Sequence, residues 1–194
     1  ALASSNVVVS TGSGGGQAGD IEVATSVQWS GGATLALNAF HSITVDSGAT
    51  IANTGAGSLI LQADATGTGS GTVTLDGLID FSGSSGAVTI LYDPAGGYTN
   101  AINFSGGVRT SGAGQCHAYM LVNSLADLGN ISRNLTGDYA LSHDIDGAGA
   151  AFTPIAGTFA GVLNGFGGAM RNFAINDGGS TDVGVLPDIG KGAV

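Results

Sequence analysis

Two carboxylates surround one apolar residue in the segment Asp144-Ile145-Asp146-Gly147. The pattern is similar to the start of a calcium loop, in which alternate acidic side chains supply oxygen ligands. A complete EF-hand loop also needs a third ligand before its glycine and a late glutamate, and neither is present. The segment favours a strand that turns at Asp-Gly, and calcium binding by Asp144 and Asp146 is the open alternative.

Cys116-His117 is the second candidate, because a thiol beside an imidazole could form a reactive pair. Adjacent residues of a strand point to opposite faces, however, so the two side chains are poorly placed to bond. With one cysteine in the chain no internal disulfide can form. We predict that Cys116 is a buried apolar residue, with cross-linking to another chain as the alternative. His41 and His143 show no metal-binding spacing.

Paired carboxylates are the third candidate. Asp76 with Asp80, or Asp64 with Asp93, would meet if they lay on neighbouring coils of a repeat, and carboxylates about 5–10 Å apart can hydrolyse glycosidic bonds. Six of the thirteen aspartates adjoin Gly, Ser or Asn, which is typical of turns. No nucleophile–base set and no phosphate-binding loop can be assembled. We therefore predict that the protein is not an enzyme and that it has no catalytic, cofactor-binding or metal-binding residue.

Few aromatic residues are available for binding. Trp29, Phe40, Tyr92 and Tyr98 are scattered, and exposed aromatic rings could form a platform for a sugar or a protein partner. Packing under loops is the favoured interpretation for Trp29 and Phe40.

Composition excludes several classes of function. Charged residues make up 9% of the chain, and fourteen acidic against four basic residues give a net charge of −10. This balance argues against nucleic-acid binding and against anionic membranes. No apolar run approaches the ~18 residues of a membrane span, and no basic segment followed by an apolar one predicts a signal peptide within these residues. We expect a segment of a longer extracellular or bacterial cell-surface protein.

Short strands bounded by Gly, Asn, Asp or Ser recur along the chain. Their cores are Asp20–Val23, Thr34–Leu37, Ser42–Val45, Ser58–Leu61, Thr72–Leu75 and Ala87–Ile90. Ile21 to Ile43 and Ile51 to Val73 are each 22 residues apart, which predicts coils of about 20–23 residues. Alternation places Leu35 with Leu37, Leu59 with Leu61 and Val88 with Ile90 inside the coil. The fold class is all-β, a parallel β-helix or solenoid.

One segment departs from this rhythm. Apolar residues at near-helical spacing run through 124–135, and Ser124 with Asp127 forms a cap pair. We predict a short helical excursion there, with strands resuming at Tyr139–Leu141, Gly157–Gly161 and Asn172–Asn176.

Two sets of segments carry a family resemblance. The first set is Ser5–Gly12, Gly19–Val23, Val27–Ser30 and Thr34–Ala39; the second is Tyr139–Asp146 and Gly157–Ile175. The first resembles the passenger repeats of filamentous-haemagglutinin-type exoproteins, which Gram-negative bacteria export by two-partner secretion. The second resembles the GLUG motif of these proteins and the segment before it. The motif usually reads Asp-Gly-x-Gly-His near its middle, whereas Asn164-Gly165-Phe166-Gly167-Gly168 stands here.

The resemblance implies a right-handed β-helix, secretion or surface display, and adhesion. We divide the continuous solenoid into β-helix coils (1–115), a strand with the helical excursion (116–136), GLUG-like coils (137–177) and an irregular tail (178–194). Its expected partners are a glycan or protein on a host or neighbouring cell and, during export, an outer-membrane transporter. End-to-end self-association is a further expectation, because open coil ends carry unpaired strand edges.

Three functional hypotheses follow. The first is an adhesin-like exoprotein segment, and the second is a purely structural stalk or filament-forming module. The third and weakest is a polysaccharide-degrading β-helix enzyme, which would require carboxylates gathered with a basic residue in one groove.

Overall fold

A computed structural model describes residues 1–95, 97–175, 179 and 183–194. The chain divides into two compact units. The first unit comprises Ala1–Ala65, Ser70–Asp93 and Ile102–Tyr119; the second comprises Thr66–Gly69, Pro94–Ala101 and Met120–Val194.

The first unit is built from short strands, as the glycine-bounded segments predicted. They are β1 (Val7–Ser10), β2 (Ile21–Val23), β3 (Val27–Trp29), β4 (Leu35–Asn38), β5 (Ile43–Val45), β6 (Thr50–Asn53), β7 (Leu59–Gln62), β8 (Val73–Leu75), β9 (Leu78–Phe81), β10 (Val88–Tyr92) and β11 (Val108–Thr110). All pairings among them are parallel and connect one coil to the next. Three stacks result: β1-β4-β7-β10, β2-β5-β8 and β3-β6-β9-β11. The predicted β-solenoid is confirmed.

The coils are longer and less even than the predicted 20–23 residues. Ile43 lies on Ile21, 22 positions later, but Val73 lies on Ile43 after 30 positions. The sequence spacing placed Val73 one coil after Ile51, whereas the residue that pairs with Ile51 in the next coil is Ile79. Length varies in the corners rather than in the strands, because strands must stay in register while loops can lengthen at small cost in entropy.

Alternating aliphatic residues fill the coil interior as predicted. Leu59, Leu61, Val88 and Ile90 are fully buried, and Leu35 and Leu37 are nearly so. The column of Leu35, Leu59 and Val88 is continuous from coil to coil. Ile102 does not follow this pattern, because it lies outside the strands and is 38% exposed.

Polar residues that precede the strands join one coil to the next. In each case a side-chain oxygen accepts a hydrogen bond from a backbone N–H one coil later, at 2.8–3.2 Å. The pairs are Asn6 to Thr34, Asp20 to Ser42, Ser26 to Thr50, Ser42 to Thr72 and Ser58 to Ala87. These bonds satisfy backbone donors at the corners, where the ladder is interrupted.

A buried polar corner follows β6. Asn53 is 1% exposed, and its amide donates to the carbonyls of Trp29 and Gly31, each at 3.2 Å. Its carbonyl oxygen accepts from the Gly55 N–H at 2.8 Å and from the Ser84 hydroxyl at 2.9 Å. The backbones meet so closely here that a Cβ at Gly86 would lie 1.9 Å from the oxygen of Gly57. Glycine at this corner is therefore required by space.

The second unit continues with parallel strands and contains the predicted helix. Its strands are β12 (Cys116–Val122), which begins in the first unit, β13 (Asp138–Leu141), β14 (Ile145–Phe152), β15 (Val162–Asn164) and β16 (Met170–Ile175). β13 pairs with β12 and with β15, and β14 pairs with β16. The helix α1 (Leu125–Asn130) is followed by a 3₁₀ turn, Ile131–Arg133. Ser124 caps it as predicted, since its hydroxyl accepts from the Asp127 N–H at 3.1 Å.

One prediction about the end of the chain differs from the structure. The segment 157–161 is not a strand; it contains an isolated bridge between Phe159 and Ile189. The described residues of the tail form no helix or strand, and the Ile155 and Leu163 N–H groups donate to the Val185 and Val194 carbonyls. Such non-local pairing is not visible in short glycine-bounded sequences. Asn176 and Asp177, at the end of the predicted strand and of the GLUG-like segment, lie outside the described residues.

We predict that Asn53→Ala lowers the free energy of unfolding by about 2–4 kcal/mol, because it removes four hydrogen bonds from a buried corner and leaves the Gly55 N–H without its acceptor. Urea unfolding followed by circular dichroism measures the change. The control is Asn103→Ala, which removes an exposed amide bonded only to the nearby Ser105 N–H. It should cost less than about 0.5 kcal/mol. Equal losses for the two variants would contradict the role given to Asn53.

Candidate functional site

The most polar irregularity of the second unit lies between β14 and β16. Ile145 and Asp146 pair with Met170 and Arg171, after which the register shifts so that Ala150 pairs with Phe173. Three residues of β14, 147–149, therefore oppose Asn172 alone. Bulges of this kind redirect side chains and are frequent beside functional sites. We call Asp144, Asp146, Arg171 and Asn172 the bulge cluster.

Asp146 holds the bulge together. One carboxylate oxygen accepts from the Ala148 N–H at 2.8 Å, and the other accepts from the Asn172 side-chain amide at 2.9 Å. Ala148 and Asn172 have φ of 49° and 56°, a left-handed conformation that costs energy in residues other than glycine. The two bonds of Asp146 stabilise these two residues.

Asp144 and Arg171 form the charged part of the bulge cluster. Asp144 accepts from the Ala169 N–H at 2.9 Å through Oδ1 and from Arg171 Nη2 at 2.7 Å through Oδ2. Arg171 Nε lies 4.0 Å from Asp146 Oδ2, so one guanidinium serves two carboxylates. The side chains of Asp144 and Arg171 are 45% and 55% exposed, and solvent weakens this pairing.

Hydrogen bonding keeps both carboxylates ionised. The Ala169 N–H, followed by the charge and hydrogen bond of Arg171, lowers the pKa of Asp144 below its usual 3.8. The Ala148 N–H and the Asn172 amide likewise lower the pKa of Asp146. Two low-pKa carboxylates do not supply the proton donor that glycoside hydrolysis needs. A calcium ion at Asp144 and Asp146 would have to displace Arg171.

An exposed aromatic ring stands on the turn that leads into β16. Phe166 is 50% exposed, has a φ of 45°, and donates its N–H to the Asn164 side chain at 2.9 Å. The turn lies close to the segment that precedes β14 and carries Asp144, because a Cβ at Gly168 would be 3.0 Å from the His143 carbonyl oxygen. Sequence analysis named Phe166 only within its motif and missed Arg171 and Asn172. The spacing of 25 residues between Asp144 and Ala169 was the one signal in the sequence that the two segments lie on adjacent coils.

Among the four candidate aspartates, Asp80 has a carboxylate bonded within its own turn, and the other three lie shortly after strands. Asp80 accepts from the Ser82 N–H and hydroxyl, at 3.0 and 2.6 Å, which lowers its pKa. Asp76 continues the ladder after β8, with its N–H bonded to Val45. Asp64 is fully buried at a corner, and the backbones of Asp64 and Asp93 both approach Gly71 there.

A different carboxylate pair, which sequence analysis did not name, forms in the first unit. Glu22 on β2 and Asp46 after β5 lie on adjacent coils within hydrogen-bonding reach. The hydrogen bond to Asp46, together with its negative charge, raises the pKa of Glu22 above its usual 4.5.

The cysteine and the three histidines make local contacts. Cys116 is half-buried rather than fully buried, and desolvation raises the pKa of its thiol, so the thiol is not activated. His117 stacks on Tyr119, with ring centroids 6.1 Å apart. His41 Nδ1 lies 2.7 Å from Asp20 Oδ1. His143 Nδ1 and the Ser142 hydroxyl form a hydrogen bond of 2.7 Å.

The two tyrosines do not form the exposed aromatic platform that the sequence left open. Tyr92 and Tyr98 are 0% and 3% exposed, because their rings fill the interior and pack edge-on against Phe104 and Tyr139 respectively. Trp29 is buried as predicted and donates to the Ala33 carbonyl at 2.9 Å. Phe40 is half-buried.

Within the described residues no group of three or more His, Cys, Asp or Glu is arranged to hold a metal ion. No helix in the described part of the chain is long and apolar enough to cross a membrane. No protein-family model, curated protein or solved structure matches the chain. The haemagglutinin-type resemblance therefore rests on the residues quoted for it.

We predict that Arg171→Gln lowers the urea midpoint at about pH 7 and that the loss is smaller at about pH 3. Asp144 and Asp146 have depressed pKa values, so their contribution is present above 3.8 and is lost as pH falls through the folded-state values. Arg133→Gln is the control, because Arg133 makes no ion pair within the described residues. A pH-independent loss in the Arg171 variant would contradict the proposed charge pairing.

Glu22→Gln should have the opposite effect and raise the urea midpoint at about pH 7. The raised pKa of Glu22 means that the folded state binds this proton more tightly and loses stability as pH rises through that pKa. At about pH 3, where the carboxyl is protonated in both states, the gain should vanish. A double-mutant cycle with Asp46→Asn tests the cause: additive effects would show that the two carboxylates do not interact.

Proposed function

We propose that the chain is a segment of a large exported surface protein of the haemagglutinin type and that it takes part in attachment. Three features support the proposal: the stacked parallel coils, the acidic and charge-poor composition, and the GLUG-like segment 157–175. Repeated coils offer long surfaces without a deep pocket, and such surfaces are suited to extended partners. The proposed partner is a glycan or protein on another cell, and an outer-membrane transporter is the proposed partner in export.

The observation that carries the proposal is the combination of the bulge cluster with Phe166. Carboxylates, an amide and a guanidinium are displayed at a bulge, and an exposed aromatic ring stands on the adjoining turn. Polar groups of this kind bond hydroxyls, while an aromatic ring supplies apolar contact and can be oriented by its edge or face. We propose this surface as the contact for the attached partner.

A structural stalk is the second candidate. Every carboxylate oxygen of the bulge cluster already accepts a bond from within the second unit. Such saturation is expected of a device that stabilises a bulge and needs no ligand. In this case the coils would serve to separate other parts of a longer protein.

We further propose that the chain has no catalytic role. Arg171 brings together the carboxylates of Asp144 and Asp146. Their protonation states do not suit general acid catalysis, because hydrogen bonds and Arg171 hold both pKa values low.

Attachment is tested with the purified 194-residue chain on a glycan array and on cultured epithelial and bacterial cells. We expect saturable binding that Phe166→Asn weakens at least about tenfold, because asparagine tolerates the left-handed backbone and removes only the ring.

Val183→Ser is the matched control, since Val183 is a similarly exposed apolar residue at 53%. It should bind as the wild type does. Binding to no surface would contradict attachment and favour the stalk. Binding that is insensitive to Phe166→Asn would move the contact away from this turn.

A further inference from the structure

Three Asn-x-Ser/Thr sequences occur in the chain, and this is the sequence at which asparagine accepts an N-linked sugar. They are Asn103-Phe104-Ser105, Asn130-Ile131-Ser132 and Asn134-Leu135-Thr136. The sequence alone is a weak signal, because the acceptor must also lie on a surface loop where a transferase can reach it. The structure distinguishes the three sequences by this requirement.

Asn134 has the backbone and side-chain geometry of an acceptor. It follows the 3₁₀ turn, and its φ of −151° and ψ of 86° are not helical. Asn134 Oδ1 accepts from the Thr136 N–H at 3.3 Å and from the Thr136 hydroxyl at 3.1 Å. The hydroxyl of the buried Tyr139 donates to the Asn134 backbone carbonyl at 2.6 Å and so holds the turn in place. Asn134 Nδ2 makes no hydrogen bond to any described residue and is available for a sugar.

Asn103 is presented in a similar way in the first unit. Its Oδ1 accepts from the Ser105 N–H at 3.0 Å, again two residues later in the chain. Phe104 is buried and packs edge-on against Tyr92, whereas Asn103 and Ser105 are exposed on either side of it. The Ser105 hydroxyl bonds to no other described residue, so it can rotate toward Oδ1 as the Thr136 hydroxyl does.

Asn130 is not presented as an acceptor. It is the last residue of α1, and its φ of −69° and ψ of −14° are helical. The next residue, Ile131, is fully buried. The Ser132 hydroxyl donates to the Gly129 carbonyl at 2.8 Å and is not directed to Asn130. The third sequence therefore has the right residues without the turn or the exposed backbone.

We propose that Asn103 and Asn134 are acceptor sites for N-linked glycosylation and that Asn130 is not. Nδ2 of the acceptor attacks the anomeric carbon of a sugar that is activated by a phosphate group. A C–N bond forms, the C–O bond to the phosphate breaks, and the phosphate leaves with the electron pair. The proton from Nδ2 passes to a base of the transferase. The hydrogen bonds from Thr136 favour this step at Asn134, because they stabilise the negative charge that develops on Oδ1.

Glycosylation would add hydrated, uncharged groups to a chain in which only 9% of residues are charged. Attached sugars are bulky and solubilising, so they would supply surface polarity that this composition lacks. The modification is independent of the attachment role proposed above, and its test uses no binding partner. The activated sugar is linked to a nucleotide or to a lipid, and the two donors share the chemistry described.

Two reactions on the folded 194-residue chain test the proposal and distinguish the donors. One contains a soluble transferase specific for Asn-x-Ser/Thr with uridine diphosphate glucose. The other contains a membrane oligosaccharyltransferase with its lipid-linked sugar. Mass spectrometry should detect glycosylated chain in at least one reaction, and peptide mapping should place the sugars at Asn103 and Asn134. A synthetic peptide of residues 126–133 should accept a sugar at Asn130, because the helix is then absent.

Variants of the third residue test the role of the hydroxyl. Thr136→Val keeps the shape of the side chain and should lower the rate of modification at Asn134 at least about tenfold. Thr136→Ser retains a hydroxyl and should be modified. The matched control is Ser132→Ala, which removes the hydroxyl of the helical sequence and should leave both sites unchanged. Circular dichroism confirms that each variant is folded.

Four results would contradict the proposal. A folded chain that neither reaction modifies overturns it, and a sugar at only one of the two turns overturns the assignment of the other. Modification of Asn130 in the folded chain as fast as Asn134 would show that the turns do not select the acceptor. Modification of Asn134 that Thr136→Val does not slow would contradict the role given to the hydroxyl.

Discussion

The structure depends on the need to satisfy backbone donors where one coil turns into the next. Within the strands, parallel ladders meet this need, but every corner interrupts a ladder. In the first unit, oxygens of Asn6, Asp20, Ser26, Ser42 and Ser58 accept backbone N–H groups one coil later. Because donor and acceptor belong to different coils, each bond also holds the register between coils. Cohesion is thus distributed over many modest bonds and a shared apolar interior.

This constraint explains why aspartate is common in a chain that gathers few catalytic groups. An aspartate near a corner accepts hydrogen bonds that depress its pKa. The side chains of His41 and Ser82 have the largest effect at Asp20 and Asp80, followed by backbone N–H groups, whereas backbone N–H groups have the largest effect at Asp144 and Asp146. A carboxylate used in this way remains ionised and bonded. Glu22 shows the contrasting case, in which stacking places two carboxylates on adjacent coils without a backbone donor between them.

The bulge cluster adds charged contacts to the corner hydrogen bond. Asp144 repeats the corner bond by accepting the Ala169 N–H, and Arg171 then joins it to Asp146. The extra residues 147–149 give the surface an irregular outline, and Asp146 stabilises their left-handed backbone. A structural device and a display of polar groups therefore occupy the same place. This is why attachment and a stalk role both draw on this cluster, and why binding experiments distinguish them.

The sequence by itself determined the solenoid, the strand cores of the first unit and the helix that begins after Ser124. Alternating Leu35 and Leu37, repeated as Leu59 and Leu61, marks an interior because period-two apolar residues share one face. Ser124 and Asp127 mark a helix start because the cap is local. Only the tertiary structure decided which strands stack, since corner length varies and Ile51 pairs with Ile79 rather than Val73. It also decided the burial of Tyr92 and Tyr98 and the meeting of Asp144 with Arg171, because contacts between coils depend on loop lengths that local sequence does not constrain.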